Sequence, residues 1–399
     1  MSGWYSTTLG QICADGGGEI QTGPFGSQLH ASDYVDEGTP VVMPQNIKDN
    51  FVDPEGIARI SEADLKRLER YQLLQGDIVY SRRGDVERRA LVRSENTGWL
   101  CGTGCLRVRL GDDRAHDPTF VSYALGLKRT REWIVRHAVG ATMLNLNTSI
   151  LSAVPLSVPR VDQQRAIAEV LGALDDKIAA NTGLSASAED LILALARRGE
   201  TRCILADVAT RATKSVKPEA LGDAQVDHFS LPAYDGDRTA EAASADSIKS
   251  SKFALELPCV LLSKLNPRIP RIWDVVVLSG RPSLSSTEFI VLQPEQVSSS
   301  VLWAVLSQPN FMVELKGMVA GTSGSHQRVR PDDVMALEVT DPRFLSNETQ
   351  AAIRALGQAV AHVRQENEEL ARTRDALLPL LMSGKVTVKD AEAMVGEVV

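Results

Sequence analysis

The sequence predicts an α+β protein in which two similar mixed α/β domains are separated by two long antiparallel coiled-coil helices, with a pseudo-two-fold symmetric layout. Three observations predict it. Segments of the two halves repeat one another in the same order. Each half closes on a long stretch with apolar residues at seven-residue spacing, and an asparagine holds the matching place in both stretches.

The repeat is one of order more than of identity. In the first half Trp133-Ile-Val-Arg-His-Ala-Val-Gly-Ala-Thr142 precedes Ile150-Leu-Ser-Ala-Val-Pro-Leu-Ser-Val-Pro159 and then Asp162-Gln-Gln-Arg-Ala-Ile-Ala-Glu-Val-Leu171. In the second, Phe311-Met-Val-Glu-Leu-Lys-Gly-Met-Val-Ala-Gly-Thr322 precedes Asp333-Val-Met-Ala-Leu-Glu-Val339 and Asn347-Glu-Thr-Gln-Ala-Ala-Ile-Arg-Ala-Leu356. Both read as amphipathic helix, Gly-Ala-Thr or Gly-Thr loop, short strand, long helix. Upstream, Gly76-Asp-Ile-Val-Tyr-Ser-Arg82 matches Leu257-Pro-Cys-Val-Leu-Leu-Ser-Lys264, each a turn and then a buried strand ending in serine and a base. The openings Thr8–Ile12 and Ile204–Val208 also agree. A period of about 180–195 residues is too long for a solenoid and implies a duplicated unit. The expected domains are residues 1–161, a central helix 162–200, residues 201–345, and a C-terminal helix and tail 346–399.

The mixed regions read as short strands punctuated by Pro and Gly, with a few helices such as Asp117–Arg136. The long helices are expected over about 162–198 and 347–383. Asp162 is the expected N-cap of the first, after Pro155 and Pro159. Asn347 with Gln350 resembles a capping box for the second, which stops before Gly384. Leu171, Ile178, Ser185 and Ile192 form one row of the first helix, and Ile167, Leu174, Asn181, Ala188 and Leu195 the other. In the second helix the rows are Leu356, Val363, Leu370, Leu377 and Ile353, Val360, Asn367, Arg374. Asn181 and Asn367 stand 186 residues apart, the offset that also aligns Ile167 with Ile353. A buried seam asparagine gives up stability to fix register, so these two are the expected register pair of an antiparallel coiled coil. Such helices would be about 55 Å long at 1.5 Å per residue.

Composition bounds the function. The 399 residues, 43% hydrophobic and 24% charged, exclude a mainly disordered or fibrous chain. No apolar stretch approaches the roughly 18 residues of a membrane helix, and the N-terminus lacks the basic start and apolar run of a secretion signal. Five scattered cysteines point to a reducing compartment, so a cytoplasmic protein without a membrane partner is expected. A net charge of −8 argues against a broad phosphate-binding surface. Local basic runs, Arg82-Arg83 to Arg93, Lys128 to Arg136 and Lys249 to Arg271, leave room for a restricted one.

Catalytic signatures are missing from the sequence. Gly384-Lys385-Val386 lacks the earlier glycine and the hydroxyl of a phosphate loop. Asn266-Pro267 continues with Arg268-Ile269, without the second proline and aromatic that would grip a flipped base. Cys101-Gly-Thr-Gly-Cys105 has a zinc-like gap without a second ligand pair and reads as small apolar residues at a strand end. No metal site is expected, and the chain is not expected to be an enzyme by itself.

Three loops carry the side chains that read base edges or hold phosphates: Gly23-Pro-Phe-Gly-Ser-Gln-Leu-His30, Gly140-Ala-Thr-Met-Leu-Asn-Leu-Asn147 and Gly321-Thr-Ser-Gly-Ser-His-Gln-Arg328. The first also suits a plain hairpin turn.

The ordered set of motifs resembles the specificity subunit of a type I DNA restriction-modification system. The resemblance rests on Gly23-Pro-Phe-Gly-Ser27 with Asp33-Tyr34, Gly38-x-Pro40 and Gln45-Asn46-Ile47, then Gly76-Asp-Ile-Val79. It continues in Pro155-Leu-x-Val-Pro159, Gln163-Gln-Arg-Ala-Ile-Ala168 and Leu174-Asp-Asp-Lys-Ile178. In the second half it takes in Ser263-Lys-Leu-Asn-Pro267, Gly321-Thr-Ser-Gly-Ser325 and Leu377-Leu-Pro-Leu-Leu-Met-Ser-Gly384. The second helix begins Asn347-Glu-Thr-Gln-Ala-Ala, without the fuller Pro-Leu-Pro and Gln-Gln-Arg-Ala-Ile signature.

What the resemblance implies is a subunit that does no chemistry. Two target-recognition domains each read one half of a bipartite site on double-stranded DNA, and the paired helices set their spacing. Two methyltransferase (M) subunits dock on the helices and methylate adenine, and restriction (R) subunits join for ATP-dependent cleavage. The cofactors implied, S-adenosylmethionine, ATP and Mg, belong to those partner subunits and none to this chain. Candidate DNA contacts in the first domain are Gly23, Phe25, Ser27, Gln28, His30, Arg82, Arg83, Asn145 and Asn147. In the second they are Lys264, Asn266, Arg268, Ser323, Ser325, His326, Gln327 and Arg328. Arg, Gln and Asn are expected at bases, and Ser, Lys and Gly amides at phosphates. The competing class is a coiled-coil scaffold that binds proteins without DNA sequence specificity.

Overall fold

A computed structural model describes residues 3–318 and 327–396. The chain divides into two compact units, one of residues 1–176 and 372–399 and one of residues 177–371, so the division runs through both long helices.

In the first unit, four antiparallel strands lie in the order Gly17–Thr22, Cys105–Gly111, Ile78–Ser81, Arg89–Leu91. A second four-stranded sheet orders Tyr34–Val35, Ala58–Ile60, Thr39–Val42 and Leu100–Cys101, the last pair parallel. Tyr5–Thr8 pairs antiparallel with Pro155–Val158, bringing the start of the chain to the approach of the long helix. Ile78 to Ser81 are all buried, as an apolar run closed by a small residue requires of a central strand.

The second unit uses the same order of connections. Ala209–Ala212, Phe289–Pro294, Cys259–Ser263 and Ile272–Val275 form its antiparallel four-stranded sheet. Arg202–Ile204 pairs with Glu338–Thr340 as Tyr5–Thr8 pairs with Pro155–Val158. Its other sheet is five-stranded, in the order Ser215–Val216, Lys252–Leu255, Ser283–Ser285, Gln225–Phe229, Glu241–Ser244. The core of this unit includes Val260, Leu262, Leu292 and Leu302, with Ile192 and Ile353 from the two long helices.

The helix expected over Asp117–Arg136 is two helices, Pro118–Gly126 and Lys128–His137. Between them Leu127 leaves the helical region, with ψ 138°. The first helix ends on Gly126, where a Cβ would lie 2.0 Å from the Arg89 guanidinium, whose Nε donates to Ser122 O at 2.7 Å. The Ala124 carbonyl accepts from Leu127 N at 3.4 Å and from Thr130 Oγ1 at 2.9 Å. The second unit has an equivalent pair, Ser299–Leu306 and Pro309–Gly317.

The first long helix spans Val161–Ala196 and the second Asn347–Leu381. Asp162 therefore lies in the first turn and is not the N-cap. Ser346, not Asn347, caps the second helix, its Oγ accepting from Thr349 N at 3.1 Å. Gln164 is fully buried; its Nε2 donates to Pro159 O at 2.8 Å and its Oε1 accepts from Asp117 N at 3.0 Å. Along the expected seams Ile167, Leu171, Leu174, Ile192, Ile353, Val360, Leu370 and Leu377 are buried. In the second unit the helices run antiparallel: Asn181 meets Asn367, while Ile192, further on, shares a core with Ile353, further back. In the first unit Arg374 Nη1 donates to Asp175 Oδ1 at 2.7 Å, and the Tyr123 hydroxyl donates to Asp175 Oδ2 at 2.5 Å. The seam arginine is thus charge-paired and tied to the mixed region.

Candidate nucleic-acid interface

In each unit the central buried strand runs out into a short segment that pairs with a distant loop. After Ile78–Ser81, the Gly84 amide donates to Leu144 O at 3.0 Å and the Leu146 amide to Arg82 O at 2.9 Å, setting Arg83 opposite Asn145. After Cys259–Ser263, the Asn266 amide donates to Gln327 O at 2.9 Å and the Val329 amide to Lys264 O at 3.0 Å, setting Leu265 opposite Arg328. The strand-ending serine does the same work in both, donating through Oγ to Arg83 O at 2.9 Å and to Leu265 O at 3.0 Å. Gly84 and Asn266 occupy matching places and share the left-handed conformation, with φ 74° and 52°. Glycine and asparagine are the residues that adopt it at least cost.

This arch spends its own amides on itself and leaves the side chains to face outward contacts. In the first unit it brings together Arg82, Arg83 and Asn145. The Arg82 guanidinium lies 5.6 Å from the centre of the Phe25 ring, and Phe25 is 52% exposed. An exposed aromatic under a cation offers a base a stacking face beside a positive charge. Asn145 Nδ2 donates to Met143 O at 2.9 Å, which orients its amide.

Gly23, Gln28 and Asn147 are instead engaged in the fold. The Gly23 amide donates to Cys105 O at 3.0 Å, and a Cβ there would meet Gly102 O at 2.1 Å. Gly23 is required for close backbone approach, and its amide is not open to a phosphate. Gln28 Oε1 accepts from Phe25 N at 3.1 Å and from the Tyr71 hydroxyl at 2.9 Å, so its carbonyl oxygen closes the turn that presents Phe25. Asn147 Oδ1 accepts from Ile150 N at 2.8 Å as an N-cap. Ser27 and His30 are exposed, and His30 Nδ1 lies 3.6 Å from Asp33 Oδ2.

In the second unit the arch brings together Lys264, Asn266, Gln327 and Arg328, with Arg268 exposed beyond it. Ser323, Ser325 and His326 lie outside the described residues. Glu288, which sequence reasoning missed, accepts from Arg328 Nε and Nη2 at 3.1 Å each. The Arg328 bonds and charge hold its carboxyl below the usual range. Burial lowers the Lys264 ammonium, against the pull of Glu288 and with the push of Arg328 and Arg211. The exposed apolar side chains of Val139 and Met143, beside Asn145, were also missed. Their signal in the sequence is two large apolar residues, one just before Gly140 and one three residues after it.

Cys101 and Cys105 are buried at adjoining strand ends, and burial pushes both thiols up, Cys101 to about 12. Among the described residues no group of three or more His, Cys, Asp or Glu side chains is placed to hold a metal ion. No helix among them is long and apolar enough to cross a membrane.

Residues 1–190 match the model of a family described as the type I restriction modification DNA specificity domain. No curated protein matches the chain. Among solved structures, the S subunit of a type I restriction-modification system from M. genitalium is 15% identical, with a TM-score of 0.60 over 95% of this chain and 96% of that one. At that identity the likeness is one of fold. The HsdS subunit from Thermoanaerobacter tengcongensis is 16% identical over 96% of this chain and 98% of that one, with a TM-score of 0.36.

Proposed function

We infer, from residues 1–190 belonging to the type I restriction-modification DNA specificity domain family, that the whole chain is the DNA-recognition subunit of a type I restriction-modification complex. The observation that carries this reading past residue 190 is the repeated arch. The segments Arg82–Gly84 with Leu144–Leu146, and Lys264–Asn266 with Gln327–Val329, are built by the same hydrogen bonds after the same buried strand. One reader is thus made twice with different side chains, as a target of two unlike halves requires. Each arch reads one half-site, and the two long helices serve as the spacer.

The chain supplies sequence recognition and not bond chemistry. Two methyltransferase subunits dock on the helices, bind S-adenosylmethionine and methylate adenine. Restriction subunits use ATP and Mg to translocate and cut. The setting is the cytoplasm, where such a complex meets the chromosome. The acidic total fits a surface that mostly faces protein.

A gel-shift titration of the full chain, with and without a methyltransferase partner, tests the reading. Weak binding alone and sequence-specific binding with the partner are expected, because the complex encloses the duplex. A chain that binds the partner while the assembly ignores DNA sequence would instead be a protein scaffold.

A further inference from the structure

The geometry points to Arg328 as the reader of a guanine in the major groove, with Glu288 as the positioning residue that aims it. This rests on the chain being a DNA-recognition subunit. Glu288 occupies Nε–H and one Nη2–H of the guanidinium through its two carboxylate oxygens, at 3.1 Å each. Of five donors, the three at the far end stay unclaimed by Glu288: both on Nη1 and one on Nη2. A planar N–H pair at that end matches guanine O6 and N7, which are both acceptors. Adenine sets an N6 donor beside N7 and opposes the same fork.

The pair is not a buried structural bridge. The Arg328 and Glu288 side chains are 50% and 32% exposed, and a pair so placed adds little to stability. What it fixes is direction. Glu288 and the residue next to Arg328 are both anchored to Lys264, whose amide donates to Glu288 O at 2.8 Å and whose carbonyl accepts from Val329 N at 3.0 Å. A long flexible side chain is thereby oriented before it meets DNA, which lowers the entropic cost of binding. At the matching place in the first unit stands Asn145, uncharged, with Nδ2 on Met143 O. The two arches therefore read by different chemistry.

The test maps methylated motifs in cells expressing the full chain with its methyltransferase partner, comparing wild type with Arg328→Ala, Arg328→Lys and Glu288→Gln. In Arg328→Ala, one guanine in one half-site should lose its preference by about ten- to a hundredfold, with the other half-site unchanged. Glu288→Gln should keep that guanine but weaken its preference severalfold, leaving other positions alone, and Arg328→Lys should retain part of it. In the purified complex, 7-deazaguanine at that position, which removes N7, should weaken wild type about tenfold and leave Arg328→Ala unaffected. Should Arg328→Ala abolish methylation altogether, the 7-deazaguanine result with wild type and Arg328→Lys decides. An unchanged guanine preference in Arg328→Ala, equal losses at every position, or no effect of 7-deazaguanine overturns the assignment. A wild-type chain that yields no two-part motif would refute the recognition-subunit reading itself, which is a separate failure.

Discussion

Asn181 Nδ2 donates to Asn367 Oδ1 at 2.9 Å, midway along the paired helices. Asn181 also donates to Glu366 Oε2 at 2.7 Å, and Asn367 Nδ2 donates to Ile178 O at 3.2 Å. The heptad rows around them are mostly apolar, Ser185 and Arg374 excepted, so a shifted register would set these amides against apolar side chains. Replacing Asn181 alone by Leu removes the donor to Asn367 Oδ1 and Glu366 Oε2 and should lower stability by about 1–3 kcal/mol in thermal unfolding. Replacing both by Leu should restore or exceed wild-type stability while admitting more than one register, detectable by cross-linking of introduced cysteines.

Asp274, on the strand Ile272–Val275, is half-buried, and its Oδ1 is buried with no hydrogen-bond partner. Burial pushes its carboxyl up to about 6, although Ser299, Ser300 and Arg364 pull it down. A carboxyl whose pKa rises on folding favours the fold when protonated. Its contribution therefore falls as pH climbs from about 4 to about 6, and the cost is fully present above that. Asp274→Asn should be more stable than wild type by about 2–3 kcal/mol at pH 7.5, converging as the pH drops below about 4. Urea midpoints across pH measure this.

Gly357 faces Ser300 so closely that a Cβ would lie 2.0 Å from its Oγ and 2.6 Å from its Cβ. Alanine would gain up to about 1 kcal/mol in helix propensity. Overpacking costs about 1–3 kcal/mol and wins. Gly357→Ala should therefore destabilise in chemical denaturation, and adding Ser300→Gly should recover most of the loss.

Phe25 and Arg82 should act as one unit. Arg82→Ala should weaken binding of the partnered complex to its DNA and relax one position of the half-site read by the first unit. Phe25→Ala removes a contact of about 0.5–1 kcal/mol and should weaken binding severalfold. The double variant should lose less than the sum of the two single losses, because ring and cation act on the same base. Fluorescence anisotropy at fixed salt is the measurement.

Periodicity and order made the architecture legible. Seven-residue spacing located the seams, although Ile178, Ala188, Leu195, Leu356 and Val363 on them are only half-buried, and the asparagine offset located a contact between residues 186 apart. Local punctuation was less legible. Ser346 caps where Asn347 also could, and Gly126 looks tolerable inside a helix until Arg89 arrives to occupy its missing Cβ. The site was legible by residue type but not by role. Gln28, Gly23 and Asn147 have the right chemistry for DNA, and the fold uses it for turns and caps. The arch was invisible because backbone bonds between distant segments leave no pattern in side chains. Its one trace was a serine, a base and, two residues past that base, a residue that tolerates positive φ: Gly84 and Asn266.

Methylome sequencing of bacteria carrying this chain with its modification partner bears most directly on a twofold DNA reader. Expected is adenine methylation at one two-part motif of fixed spacing, with only one half altered when residues 1–161 are exchanged for another recognition domain. An undivided motif, or an exchange that changes both halves or neither, would contradict it.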